Sequence, residues 1–473
     1  MSLKKSKRNK RIMRLDNSEN AWLGYSKTDR KELQELTDSY IEFLSKCKTE
    51  RECVKEIVSM ARKAGYRDLR TIVEENMRLK HGDKVYVDIM GKAVVLFNLG
   101  NEPFENGMNI LGAHIDSPRL DLKQNPLYED GGMAYLNTHY YGGIKKYQYV
   151  TIPLALHGVV AKTDGTTVEI SIGEEDDEPV FTVTDILIHL ASEQMEKKMA
   201  KGVEGENLDL LAGSIPIKAK EKDPVKNNIL KILKEKYMIE DGDFMSAEIE
   251  AVPAGRARTL GFDESMILSY GQDDRVCAYT SLVAFLATED VERTGVCLLV
   301  DKEEIGSVGA TGMRSRLFEN ALAEVMNAAG AYSELEMRRA LQNSKMLSSD
   351  VSAAFDPLYA SVFDKMNSAY FGHGVVFNKY TGSRGKSGSN DANAEFMAEI
   401  RSILDARNVM YQTCELGKVD AGGGGTIAYI MALYGMDVID CGVAVLSMHA
   451  PYEVTSKSDI YEATKAYRAF LLA

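Results

Sequence analysis

Proline and cysteine are scarce in this chain of 473 residues, which holds ten prolines and six cysteines. With so little proline, neither collagen nor a proline-rich linker protein is in play. The cysteines (Cys47, Cys53, Cys277, Cys297, Cys414 and Cys441) stand singly, with no CxxC pair. That pattern lends no support to a thiolate zinc site and suggests reduced thiols in a reducing cytoplasm. No apolar run reaches the roughly eighteen residues that a membrane-spanning helix needs. The N-terminal arm, Met1 to Arg11, is basic and has no apolar segment behind it, so a secretory signal is not expected. Net positive charge is also lacking: the formal charge is −13, a balance that repels phosphate backbones and argues against nucleic acid as a partner. There is no Gly-x-Ser-x-Gly elbow, which lowers the serine-hydrolase reading. Gly422 to Gly425 runs into Thr426 without a Walker lysine, so the phosphate-loop reading fails. A tight turn before a helix is expected there instead, with the amides around Gly424 near the substrate.

What remains is an ordinary globular composition, 45% hydrophobic and 27% charged, long enough for two or three domains. Thr49-Glu50-Arg51-Glu52 is a capping box, and Val54, Ile57, Val58 and Ala61 follow at helical spacing. Strands are expected at Lys84 to Ile89, Lys92 to Leu99, Met108 to Ala113, Val296 to Val300, Lys345 to Ser349 and Val443 to Met448. Helices are expected at Ala278 to Ala287, Asn390 to Leu404 and Tyr461 to Leu472. Between these two stretches lies a hairpin that turns at Asp164-Gly165. Val168, Ile170 and Ile172 lie on one face of it, and Thr167, Glu169 and Ser171 on the other. The Lys-rich stretch from Lys197 to Lys236 reads as a solvated face. The whole is an α/β fold, a mostly parallel sheet flanked by helices, with a β-rich insertion.

Acids and histidines gather at the ends of the apolar runs. His114 and Asp116 follow one such run at a spacing of two, which suits a metal ligand and the acid that orients it. Glu303-Glu304 follows Val300, Asp350 follows Ser349, His449 follows Met448, and Asp273 precedes a helix. Singly, each has an ordinary explanation: a structural His, a solvated loop, an N-cap. As a set within one α/β region they form a nitrogen and oxygen donor group without sulfur. Such a group fits catalytic zinc, manganese or cobalt. One shared ligand would make it a two-metal site that activates water.

In their order along the chain, several segments resemble the aspartyl aminopeptidase / aminopeptidase I family of dinuclear metallo-aminopeptidases. They are Gly112-Ala113-His114-Ile115-Asp116-Ser117-Pro118-Arg119-Leu120, Gln272-Asp273-Asp274, Lys302-Glu303-Glu304-Ile305-Gly306-Ser307, Ser349-Asp350 and Met448-His449. The likeness runs from about residue 30 to the C-terminus. It implies that His114, Asp350 and a shared Asp273 hold one metal ion, and Glu304, His449 and the same Asp273 the other. It makes Glu303 the general base and Asp116 the acid behind His114. It implies a zinc-peptidase-like catalytic domain from residues 1–119 plus 261–473, and a β-rich dimerisation or lid domain inserted over 120–260. It further implies a tetrahedral dodecamer in which His189, within Ile186-Leu187-Ile188-His189-Leu190, reaches a neighbour's active site.

Two departures bear on substrate. After Asp350 the chain reads Val351-Ser352-Ala353-Ala354-Phe355-Asp356-Pro357, where animal aspartyl members carry histidines. Lys379 stands one position from the family's substrate-contacting lysine, and on a strand one position reverses the face. The expected reaction is removal of the N-terminal residue from peptides, acidic or neutral, with no nucleic acid or membrane partner. A related dinuclear deacylase or carboxypeptidase, or a non-catalytic peptide-binding shell, stands as the alternative.

Overall fold

The computed structural model describes residues 20–218 and 222–473. The basic arm, Met1 to Arg11, lies outside them. A nine-stranded mixed sheet forms the centre. Its order is Arg67–Asp68, Lys84–Ile89, Ala93–Asn98, Gly295–Val300, Asn109–His114, Lys345–Ser349, Asp437–Gly442, Val375–Asn378 and Tyr411–Thr413. The middle four, from Gly295–Val300 to Asp437–Gly442, are mutually parallel. Their residues are buried on both faces and alternate between two apolar clusters, as a period of two requires. Leu111, Ala113, Cys297, Leu299, Leu347 and Ile439 face one cluster. Ile110, Val296, Leu298, Met346 and Val438 face the other. The first cluster is closed by helices Lys27–Lys46, Glu50–Lys63, Gln272–Leu286, Ala394–Ala406 and Lys457–Leu471. The second is closed by Leu69–Glu74, Leu317–Ala329, Glu334–Gln342 and Ala428–Ala432. Both N-terminal helices are fixed by reciprocal capping boxes, Ser26 with Asp29 and, as expected, Thr49 with Glu52.

A seven-stranded antiparallel sheet occupies the middle of the chain, with strands from Arg119–Asp130 to Ala247–Pro253. It contains the expected hairpin, Leu154–Ala161 paired with Thr167–Ile172; Ile170 and Ile172 are buried and Thr167, Glu169 and Ser171 exposed. A third sheet of five short strands includes Met266–Ser269 and Glu453–Ser456, which pair antiparallel. Among the described residues, no helix is long and apolar enough to cross a membrane.

Four local expectations need correction. The central strand near the C-terminus is Asp437–Gly442, and Val443 to Met448 holds only a three-residue strand, Ala444–Leu446, of the third sheet. The acids Asp437 and Asp440 interrupt the apolar run and hid it. The helix expected from Ala278 starts earlier: within Gln272–Leu286 the backbone is non-helical at Asp273 and Asp274, and the regular helix follows from Arg275. The helix expected from Asn390 starts later, at Ala394, because Asn393 accepts from the Phe396 amide as its N-cap. Part of the Lys-rich stretch is an amphipathic helix, Pro224–Tyr237, with Val225 buried against the antiparallel sheet. Its free amides at Val225 and Lys226 are accepted by Glu129 at 2.7 and 2.9 Å.

Candidate metal centre

The parallel strands end on one edge of the central sheet, the edge where open α/β sheets bind ligands. His114 is the last residue of Asn109–His114, and Asp350 follows Lys345–Ser349. Glu303 and Glu304 open a short 3-10 turn, Glu303–Ile305, just past Gly295–Val300. Asp273 enters from the non-helical backbone at the start of Gln272–Leu286, and His449 from the loop after Ala444–Leu446.

These side chains converge. The two oxygens of Asp273 face opposite ways: Oδ1 lies 3.3 Å from His114 Nε2, and Oδ2 lies 3.2 Å from His449 Nε2. Asp350 Oδ1 is 3.9 Å and Glu303 Oε2 4.0 Å from His114 Nε2, while Glu304 Oε2 is 3.6 Å from His449 Nε2. Two ligand groups suited to a metal ion are His114, Glu303, Asp350 and His114, Asp273, Glu304; a third is Asp273, Asp274, Asp350.

The electrostatics of the cluster call for cations. Burial, reinforced by the neighbouring carboxylates, pushes Asp350 and Glu304 well above the usual carboxylate range. Burial likewise pushes Glu303 up to about 7, with Asp116 and Asp273 adding to the rise. Asp273 goes the other way: burial would raise it, but hydrogen bonds from His114 and His449 hold it below the ordinary range. Acids packed this closely cannot all be ionised unless positive charge sits among them. Glu304 Oε1 is buried with no hydrogen-bond partner, and such an atom is costly unless a ligand takes it. The donors are all nitrogen and oxygen, so the residues fit a catalytic zinc-type centre.

The candidate ligands are themselves held from behind. Asp116 is fully buried; His114 Nδ1 lies 3.0 Å from its main-chain carbonyl and 3.2 Å from its Oδ1, which also accepts the Glu303 amide at 3.1 Å. Its Oδ2 accepts the Glu304 amide at 3.2 Å and the Tyr141 hydroxyl at 2.8 Å. Thus the acid behind His114 also anchors the Glu303-Glu304 turn. Glu453 spans the two halves, its carboxylate accepting the amides of Asp273 at 2.9 Å and His449 at 2.7 Å. His449 Nδ1 lies 2.9 Å from the Gly143 carbonyl, and donation there leaves Nε2 free to coordinate. Glu453, Tyr141 and Gly143 escaped the sequence reading. An acid four residues after His449 and a Tyr-Gly-Gly at a strand end were the available signals.

The ion pairs within the cluster do not involve the other three expected site residues. His189 sits on an exposed 3-10 turn, Ile188–Leu190, in the inserted region. Lys379 follows Val375–Asn378 and pairs with Asp391, which Lys386 also binds at 2.9 Å. Gly424 lies in an irregular loop before Ala428–Ala432, tied down by Thr426 bonded to the buried Asp440.

Comparison with known proteins identifies the family. Residues 43–471 match the model of the family described as Aminopeptidase I zinc metalloprotease (M18). The Clostridium acetobutylicum protein named Probable M18 family aminopeptidase 1 is 61% identical over 453 residues, 96% of this chain and 97% of its own length. The crystal structure of an M18 aminopeptidase from Thermotoga maritima superposes with a TM-score of 0.91 at 46% identity, covering 96% of this chain and 98% of that one. The S. cerevisiae mApe1 dodecamer shares the fold at a TM-score of 0.74 and 19% identity, covering 93% of this chain and 95% of that one. By family match, by sequence identity along nearly its whole length and by fold, the chain belongs to the M18 aminopeptidase I family of zinc metalloproteases.

Proposed function

We propose that this aminopeptidase holds two divalent metal ions per subunit, zinc in the first place and cobalt or manganese as substitutes. His114, Asp350 and Asp273 hold one, and Glu304, His449 and Asp273 the other. The observation that carries this reading is the Asp273 carboxylate turned between His114 and His449, one oxygen to each. When bound, the ions supply an acidified water and a polarised scissile carbonyl. Glu303 is the more open of the paired acids, its side chain 17% exposed against 4% for Glu304. It takes the water's proton and returns it to the leaving amine. Asp116 fixes His114 and the Glu303-Glu304 turn, and Glu453 keeps Asp273 and His449 in register.

On the substrate side we place the amides around Gly424 and the amine of Lys379. Lys379 must leave Asp391 to meet an acidic side chain, so peptides with acidic or neutral first residues are both candidates. We assign residues 1–119 plus 261–473 to the catalytic domain and 120–260 to a dimerisation or lid domain. The chain is proposed to be a homo-oligomer, a tetrahedral dodecamer, with His189 completing a neighbour's site. Exposed Leu187, Ile188 and Leu190 around His189 give that neighbour an apolar surface. The six cysteines are free and buried, which supports a cytoplasmic location.

The test is a panel of Asp-, Glu-, Leu- and Lys-anilides, free and N-blocked, run with zinc, cobalt and manganese on wild type and Glu303→Gln. The expectation is cleavage of free-amine substrates only. Turnover by the variant should fall at least about a hundredfold with its metal content unchanged. Equal turnover by the two proteins refutes the assigned base, and cleavage of blocked substrates points to a deacylase.

A further inference from the structure

The metal centre belongs to the central sheet, yet its outer wall is built by the inserted one. Strand Met133–Tyr141 of the seven-stranded sheet runs out at the site, and its last residue and the next two touch both halves. Tyr141 donates its hydroxyl to Asp116 Oδ2 at 2.8 Å, on the oxygen that also holds the Glu304 amide. Gly142 lies against Glu304: a Cβ there would stand 3.3 Å from Glu304 Cβ and 3.3 Å from its Oε2, and φ is +73°. Gly143 presents its carbonyl to His449 Nδ1 at 2.9 Å.

Tyr141 is also held from the far side. The Arg119 guanidinium lies over its ring, 3.8 Å from the centroid. Arg119 is buried and is fixed by Asp121 at 2.8 Å, Glu250 at 3.1 Å and Glu50 at 3.6 Å. Glu50 comes from the second N-terminal helix and Glu250 from strand Ala247–Pro253 of the insertion, so the ring is clamped where the two sheets meet. A buried, stacked phenol has one rotamer available, and its hydroxyl fixes the carboxylate it reaches.

We propose that Tyr141, Gly142 and Gly143 form a positioning element by which the inserted sheet sets both halves of the metal centre. Tyr141 acts through Asp116 on His114 and on the Glu303-Glu304 turn. Gly143 acts on His449 by holding its Nδ1 proton and aiming Nε2 at Asp273 and Glu304. Gly142 is small so that the strand end can press against Glu304. Partners behind a ligand typically change metal affinity or activity by about ten- to a hundredfold when removed. The inference rests on the two-metal reading above.

The test titrates the metal-free full-length chain with cobalt(II), follows the visible d–d absorption, and measures kcat and KM on a free-amine anilide. The variants are Tyr141→Phe and Gly142→Ala, with Tyr140→Phe, which faces away from the site, as control. For Tyr141→Phe the expected result is an altered cobalt spectrum, affinity weaker by about ten- to a hundredfold and kcat lower by a similar factor, with KM little changed. Gly142→Ala should show the same signs, and it keeps the test open if Tyr141→Phe does not fold. A lowered Tm with wild-type spectrum, affinity and kcat would mean a merely structural contact and would overturn the proposal. If wild type takes up no cobalt and cleaves no anilide, the two-metal reading falls and this inference with it. If wild type does both and Tyr141→Phe matches it, only the inference falls.

Discussion

Replacing His157 with glutamine should remove a buried charge that joins the inserted sheet to the second N-terminal helix. His157 lies on strand Leu154–Ala161 and is 2% exposed. Its Nδ1 is 2.8 Å from Glu52 Oε1 and its Nε2 is 3.0 Å from Glu174 Oε1. Carboxylates only accept, so both ring nitrogens donate and the ring is an imidazolium. The second oxygen of each acid is occupied by backbone: Glu52 Oε2 accepts the Lys48 and Thr49 amides, and Glu174 Oε2 accepts the Gly255 amide. Burial disfavours the charged ring, but the hydrogen bonds and charges of Glu174 and Glu52 outweigh it and push His157 up to about 9. The folded pKa thus lies above the unfolded one, near 6.5. The stabilisation is therefore complete below pH 6.5 and is lost as pH rises through 9. From 6.5 to about 9, at about 1.4 kcal/mol for each pH unit, the full effect is about 3 kcal/mol. A chain of 473 residues unfolds with an entropy of about 1 kcal/mol per kelvin, so this corresponds to about 3 °C in Tm. The assay is the Tm difference between wild type and His157→Gln from pH 6 to 9.5, at equal protein concentration and saturating metal. Wild type should lead by about 3 °C more at pH 6 than at pH 9.5. A difference that is flat, or that widens as pH rises, refutes the imidazolium.

Two further perturbations separate fold from site. Phe285 is 1% exposed in the first apolar cluster, and Phe285→Ala should cost about 3–5 kcal/mol, lowering Tm by a similar number of degrees while turnover at 25 °C stays within about twofold; an unchanged Tm would show that the cluster can close over the loss. Gly107 has φ +93°, and a Cβ there would stand 2.0 Å from the Asn343 carbonyl oxygen, so Gly107→Ala combines an unfavourable backbone with a clash against main chain. It should lower Tm by at least about 1–3 °C without changing metal uptake, and an unaltered Tm would contradict the packing of that turn.

How much of this was legible in the sequence depends on which atoms do the holding. The proposed ligands were legible because the parallel strands that carry them are short apolar runs, so an acid or histidine at each end stands out. His114, Asp350 and the Glu303-Glu304 pair were located this way, and the structure brings them together with Asp273 and His449. The strand Asp437–Gly442 was not legible, because Asp440 interrupts it with a buried carboxyl whose partner, Thr426, lies in the irregular loop before Ala428–Ala432. The supports behind the ligands were hidden for a different reason. Glu453 acts on two backbone amides, and Gly143 offers only a carbonyl. A main-chain donor or acceptor leaves no residue type in the sequence to mark it. Tyr141 does act through its side chain, but on Asp116, twenty-five positions away in the loop between Asn109–His114 and Arg119–Asp130. Its role exists only once the insertion has folded back on the central sheet. A pattern of ligands in one sequence can therefore be read as a metal site well before anything can be said about how firmly each ligand is aimed. Aim, unlike ligand identity, is a property of how the sheets meet.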